Sequence, residues 1–449
     1  MDAILFRKCL GLNDTRAVSS QRMITEPRDP EAGNVEFIDC LNVTTTPDGC
    51  VEKIPPLVTA LTHTAPIINI SAGKRLLFTD GVDTSEWSGT AVTKRFPLVS
   101  GPMVHTPIDC RVSTATQVFK SPHAAPTMAE AVVGTNPGPV TSTSFSKMPA
   151  FDSAFVYNSR LCSVNHADPR FLQYSRPFAY DLWNLGDDFV PHMLLVLQAG
   201  QIPGCVVALH AGGVSVYTGG DLSDVARKFY PCPAINGTLY SGFISEADGH
   251  AHVFLGSDGV YVVDASGKLS NITPTFRKVS GLNTSYTCAT AVGGKYLAFG
   301  SSICVEYDFE TKTVLKRSSQ AVKGAAVWNG TNYFATGSTV SSYGSTIDTS
   351  SITTSITLPF SDLGAVGTKS LSCFYFTGEI GECATFTVTD SKGDSWSVQE
   401  DGIGAVTEYR IKAPRGDLGN RVSVKVESTS GTFRMEELRA VFMSGKRTR

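Results

Sequence analysis

The stretch Val207-Ala-Leu-His-Ala-Gly-Gly-Val-Ser-Val-Tyr217 returns three times further along the chain. The copies are Val253-Phe-Leu-Gly-Ser-Asp-Gly-Val-Tyr-Val-Val-Asp264, Leu297-Ala-Phe-Gly-Ser-Ser-Ile-Cys-Val-Glu-Tyr-Asp308 and Tyr333-Phe-Ala-Thr-Gly-Ser-Thr-Val-Ser-Ser-Tyr343. Each is a short apolar run, a Gly-containing turn and an alternating strand. With Val214, Val260, Ile303 and Val340 taken as equivalent, the steps are 46, 43 and 37 residues. A repeat of this length holding several short strands has the spacing of a propeller blade, whose apolar faces are covered only when neighbours stack around an axis. Hairpins of a β-sandwich recur at the shorter spacing of about 8–12 residues per strand. The repeats therefore predict a β-propeller.

Working outward, 449 residues exceed what one core usually holds, so more than one domain is expected. The chain has 41 Gly, 23 Pro and no apolar stripe of helical period beyond about three turns, which points to an all-β protein. The best helical candidate, Asp221–Phe229, is short and reads as a connection between blades. Residues 68–92 read as a first blade and 154–184 as another. Between them, 96–149 is rich in Pro, Thr and Ser, with weak strands near Asp109–Val118 and Glu130–Val133. It reads as either a decorated blade or a long inserted loop, and is taken as an irregular insertion within a propeller spanning 61–345. Residues 1–60 read as an extended arm followed by a hairpin, in which Phe37–Val43 and Cys50–Pro56 flank a Pro47-Asp48-Gly49 turn. After 346, six alternating runs (370–376, 384–389, 395–398, 407–412, 421–426 and 438–443) predict a C-terminal β-sandwich.

The net charge of −3 and pI near 6.3 argue against non-specific nucleic-acid binding as the main task. The segment Ser444-Gly-Lys-Arg-Thr-Arg449 is basic and reads as a solvated end. Eleven cysteines without paired short spacings, no apolar leader at the N-terminus and no membrane-length apolar run place the folding chain in a reducing cytoplasm. Motifs that carry chemistry are missing. The eight histidines form no HExxH, and Gly249-His-Ala-His252 has no carboxylate near it in sequence. There is no Gly-x-Ser-x-Gly elbow and no phosphate-cradling loop. Catalytic residues, metal ligands and cofactors are all expected to be none.

Several short pieces carry a resemblance to a known family. Asn42-Val43, Gly49, Lys53 and Pro55-Pro56 form a hairpin whose wording resembles the N-terminal signature of tail proteins of tailed bacteriophages. Asn158-Ser-Arg-Leu161, with Arg160 at a strand edge, resembles a blade common in phage tail propellers. Tyr409-Arg410-Ile-Lys-Ala-Pro-Arg415-Gly416-Asp-Leu-Gly-Asn-Arg421 resembles their C-terminal domain, although Ala413-Pro414 and Asp417 depart from its Gly-rich form. The family is that of the tail-nozzle and packaged-DNA-stabilising proteins of short-tailed phages. The resemblance implies a structural virion protein, folded in the bacterial cytoplasm and assembled as a homo-oligomeric ring, a hexamer, in the tail. Its implied partners are the portal or tail adaptor, tail fibre, spike or needle proteins, and packaged DNA sliding through a channel without sequence-specific binding. Two alternatives stand beside it. One is a tail-tip propeller binding a receptor or glycan through aromatics such as Tyr174 and Trp183. The other is a propeller glycosidase, for which Ser391-Lys-Gly-Asp-Ser-Trp396 is the nearest motif.

Overall fold

A computed structural model describes residues 2–12, 34–125, 127–135, 144–273, 285–344, 352–361, 369–413, 417–419 and 421–444. Among these residues, the strands from Leu57 to Tyr343 pair into six sheets of four strands and one of five, and these are seven propeller blades. The first strand of each blade is Asn69–Ala72, Met103–His105, Phe151–Tyr157, Gln198–Ile202, Tyr240–Ser245, Tyr286–Val292 and Val322–Trp328, for blades 1 to 7 in order. These first strands touch one another around a closed circle and line the axis. The repeats of the sequence fall where expected: Val214, Val260, Ile303 and Val340 all sit in the third strand of their blades.

Each blade is covered on both faces by its neighbours, and that dictates its composition. In blade 4, Cys205–His210 is buried throughout, so the strand reads as a continuous apolar run. Val206 and Ala208 pack toward blade 3 with Leu172 and Tyr174. Val207 and Leu209 pack toward blade 5 with Phe254 and Val263. Similar clusters fill the other junctions, ending with Ala335 and Val340 of blade 7 against Ile70, Phe78 and Trp87 of blade 1. Near the axis there is little room for side chains. A Cβ on Gly324 would lie 2.9 Å from the Ile70 backbone nitrogen.

Two expectations are corrected. The segment 96–149 contains a complete blade 2, with strands Met103–His105, Asp109–Ser113, Val118–Pro122 and Ala129–Glu130. Its buried faces carry Asp109, Arg111, Ser113 and Ser121, paired with one another or with neighbours, so an apolar pattern is absent although the strands are present. The stretch 221–229 does not join two blades. A 3-10 turn at Leu222–Asp224 leads into Ala226–Pro231, the outer strand of blade 4.

The ring is closed by the N-terminal part of the chain. Leu57–Thr62 is the fourth strand of blade 7 and pairs antiparallel with Thr339–Tyr343, so the boundary expected at 60/61 falls inside a strand. Pro55 and Pro56 precede this strand, and the Pro56 carbonyl accepts a bond from Gly344 N.

Of the remaining strands, ten form one sheet, and Lys8–Leu12 pairs parallel with Asn34–Phe37 in a separate two-stranded sheet. The six runs expected after 346 merge, because Lys369–Asp390 and Ser395–Lys412 are each continuous. Val422–Ser430 and Phe433–Ser444 lie end to end along one edge of Lys369–Asp390, and Ser395–Lys412 runs along the other. Register breaks between Phe376 and Cys383 bend the strands at one level, opposite Gly402 and Gly431. Phe374 and Phe376, before the bend, meet Phe386, after it, at centroid separations of 5.4 and 5.9 Å. The sheet is thus folded back on a shared core. The N-terminal arm adds to it: Asp2–Phe6 pairs with Phe433–Ser444, Asp39–Leu41 with Thr354–Thr357, and the hairpin Val43–Thr45/Val51–Lys53 with Arg434 and Met435. At the bend, Gly378 has φ +145°, and a Cβ there would lie 2.1 Å from the Arg434 carbonyl oxygen. Gly378→Ala is expected to destabilise the protein by about 2–5 kcal/mol, read as a lowered denaturation midpoint.

Candidate functional site

Among the described residues, most cysteines and several histidines are buried. Among the described residues, no group of three His, Cys, Asp or Glu side chains could hold a metal ion. All eleven cysteines are free thiols. Burial pushes Cys110 up to about 11 and Cys205 up to about 12, which suppresses the thiolate a nucleophile requires. In the Gly249-His-Ala-His252 motif, His250 is exposed beside Phe243. His252 lies between blades, its ring bonded to Ser241 Oγ at 2.7 Å and to the Cys205 carbonyl at 3.3 Å. The turn at 391–394 is a hairpin organised by Asp390, whose carboxylate accepts bonds from Lys392 N, Asp394 N and Gly419 N.

Burial lowers three histidines from the usual 6.5: His105 to about 4, His252 to about 4 and His192 to about 3. The folded protein holds these rings neutral, while the unfolded chain takes up protons below about pH 6.5. Stability is therefore full above that pH and is lost as pH falls toward the folded values. Denaturant titrations at pH 7 and pH 5 should differ by on the order of 2 kcal/mol for each such histidine, and His252→Gln should remove one share of the difference.

The N-terminal residues carrying the tail-protein resemblance lie at or beside the seam between the propeller and the folded sheet. Asn42 is buried at φ +55°, a left-handed conformation that Asn tolerates. Its N–H donates to the Lys316 carbonyl of blade 6, and its Oδ1 accepts from Ser318 N at 2.6 Å. Its Nδ2 donates to the Thr353 carbonyl at 2.8 Å. Val43 is fully buried in the adjoining core. Gly49 takes φ +84° with Lys8 packed where a Cβ would project. Lys53 is buried and donates from Nζ to the Gly431 carbonyl at 2.9 Å. Burial draws its pKa below the usual lysine range, and Glu382 pulls the other way. Asn42→Ala removes two side-chain bonds and the tolerance for positive φ, and an unfolding titration should register a loss of about 3 kcal/mol.

Arg160 belongs to a set of buried cations that staple blades together. It donates to the Ser175 carbonyl at 3.0 Å and to Asp221 of blade 4 at 2.9 Å, and it lies over the Tyr174 ring. Arg111 joins blades 2 and 3 through Asp109 and Asp181, both at 2.9 Å. Arg95 joins blades 1 and 2 through Glu86, Ser121 and the Pro122 carbonyl. Tyr174 and Trp183, the aromatics considered for a binding surface, are both buried core. Arg410 is exposed in the folded sheet, and Arg421 donates to the Phe360 carbonyl. Arg415 and Gly416 lie outside the described residues. Asn42, Val43, Lys53 and Arg160 thus sit in packing or bonding positions of the fold, and the described residues of the set do not gather into one site.

Two surface features were missed by sequence reasoning. A cleft of about 630 Å³ opens on the face carrying the first-to-second-strand turns of blades 5, 6 and 7, lined by Phe243, Glu246, Asp248, Phe309, Glu310 and Val327, among others. On the opposite face, the loop into blade 4 exposes Met193, Leu194, Leu195 and Leu197 beside Phe229. Met193 is 93% exposed. The sequence signal for this patch is the run Met193-Leu-Leu-Val-Leu197, which lies just before a strand and belongs to none.

No family model matches the chain, and no curated protein matches it in sequence. Among solved structures, it is similar to a streptogramin B lyase, at 13% identity over 64% of this chain and 97% of the lyase, with a TM-score of 0.43. It is similar to the WD40 β-propeller domain of Doa1, at 12% identity over 64% of this chain and 96% of that domain, also with a TM-score of 0.43. PorZ, a surface component of the type-IX secretion system of Porphyromonas gingivalis, is 11% identical over 85% of this chain and 60% of PorZ, with a TM-score of 0.43. Likeness at this level says nothing of activity.

Proposed function

We propose that this chain is a structural subunit of a bacteriophage tail, acting as a nozzle or head-to-tail joining component in a homo-oligomeric ring that bounds the DNA channel. The supporting observation is the seam. Of the residues that carry the resemblance to tail proteins, Asn42 and Val43 join blade 6 to the folded sheet, and Gly49 and Lys53 fix the adjoining hairpin against the arm and the sheet. Such a rigid two-part body suits a mechanical role. The reading is non-enzymatic, and the buried, already bonded histidines and thiols support that.

The apolar loop Met193–Leu197 with Phe229 adds further support, since contiguous exposed apolar side chains mark surfaces that bury against other proteins. In this reading it carries a neighbouring tail component, and the slightly negative chain leaves DNA free to slide.

Gradient-purified particles should contain the protein at the copy number of a closed ring, measured by quantitative mass spectrometry. The isolated chain should form rings visible by negative-stain microscopy. Particles that lack the protein would overturn the reading, and the soluble chain would then be screened for glycan binding and cleavage. Met193→Asp combined with Leu195→Asp should abolish incorporation into particles while leaving the unfolding midpoint of the subunit unchanged.

A further inference from the structure

The cleft at the mouth of blades 5–7 has an unusual balance of chemistry. Glu246, Asp248 and Glu310 are exposed along it, and among the described residues none of them forms an ion pair. Asp248 accepts a bond from the Ser245 hydroxyl, 2.7 Å away. Phe243 and Val327 line the same space at 46% and 42% exposure, giving the cleft two apolar contact points. The turns opposite are bare: nothing lies within 4 Å of where a Cβ would sit on Gly293 or Gly330. A second cavity of about 410 Å³ shares Ile244, Asp248 and Phe309 with the first and adds Asp264 and Lys312. The combined surface is apolar and aromatic with an acidic rim, and it fits an extended segment bearing arginine or lysine. Their aliphatic stems lie on aromatic faces while their cationic heads reach carboxylates.

The sequence of the chain supplies a basic segment of this kind. Beyond the last described strand, which ends at Ser444, come Gly445, Lys446, Arg447, Thr448 and Arg449, three cations in five residues. Extended, five residues reach roughly 17 Å. We infer that the segment 445–449 of one copy docks in the blade 5–7 cleft of the next, with its three cations set against Glu246, Asp248 and Glu310. The contact is heterologous, because tail and cleft are different surfaces, and repetition of such a contact closes a ring when the rotation permits. This inference rests on the ring reading above and names the partner surface within it.

The test separates the two claims. A chain ending at Ser444 is titrated with a labelled peptide of sequence Ser-Gly-Lys-Arg-Thr-Arg, and the oligomeric state of the full and shortened chains is measured by light scattering. Expected are saturable peptide binding, roughly tenfold weaker in Glu246→Lys/Glu310→Lys and in high salt, and loss of the ring in the shortened chain. Binding restored by a Ser-Gly-Glu-Glu-Thr-Glu peptide to the charge-reversed variant would confirm the pairing. A full-length ring that persists on shortening, with no peptide bound, overturns the inference and leaves the ring reading intact. A full-length monomer whose shortened form binds the peptide overturns the ring reading and retains the cleft as a site for basic segments. Binding of a neutral oligosaccharide in the cleft with no peptide binding overturns the inference in favour of a glycan site. Unfolding midpoints equal to the parent show that the charge-reversed variant is folded.

Discussion

The closure of the ring by Leu57–Thr62 against Thr339–Tyr343 is the contact on which the rest of the molecule depends. Without it, blade 7 lacks its outer strand and blades 7 and 1 lose the tether that holds them as neighbours. Joining ends so far apart in sequence costs on the order of 5 kcal/mol in chain entropy, and the stacking of seven blades offsets this only once all are present. Stability should therefore be cooperative across the propeller. The chain then goes from one body to the other through the hairpin at 43–53, so ring closure and attachment of the folded sheet are fixed by one short piece of backbone.

The blades solve one packing problem in two ways. Blades 4 to 7 fill their junctions largely with Val, Leu, Phe and Tyr, with one buried cation, Arg317, paired with Glu306 and bonded to Tyr343 of blade 7. Blades 1 to 3 place Arg95, Arg111 and Arg160 between sheets, each paired with carboxylates and capped by carbonyls or hydroxyls. A buried cation so satisfied adds directionality, because removing one partner strands the other charge in a low-dielectric interior. The cost of misaligned blades is correspondingly high where these pairs lie. Burial also holds His105, His192 and His252 neutral, and Cys110 and Cys205 as protonated thiols.

Where the interior is apolar, the sequence was readable. The four copies beginning at Val207 advertise third strands because a doubly covered strand must be apolar on both faces, and the Pro47-Asp48-Gly49 turn announces its hairpin through fixed and positive φ. Blade 2 is only faintly legible, as weak strands near Asp109–Val118 and Glu130–Val133, because Asp109, Arg111 and Ser113 occupy positions that normally carry apolar side chains. The two long strands of the folded sheet were read as separate short ones because Gly378, Gly381 and Gly402 look like turn residues. Here they bend continuous strands, since φ +145° at Gly378 allows a sharp bulge without breaking the ladder.

Local composition determined the class of this protein: all-β, bladed, poor in catalytic motifs, with a hairpin before the propeller. Periodicity and turn chemistry are local properties, so they can be read from neighbouring residues. Long-range pairing decided the rest. Only the tertiary structure brings Leu57–Thr62 into blade 7, threads Asp2–Phe6 beside Phe433–Ser444, and makes Asn42 the junction of two bodies. It also gathers Phe243, Glu246, Glu310 and Val327, from three blades, around one cleft. Those groups are 84 residues apart at their extremes, and no local pattern could record that they share a surface.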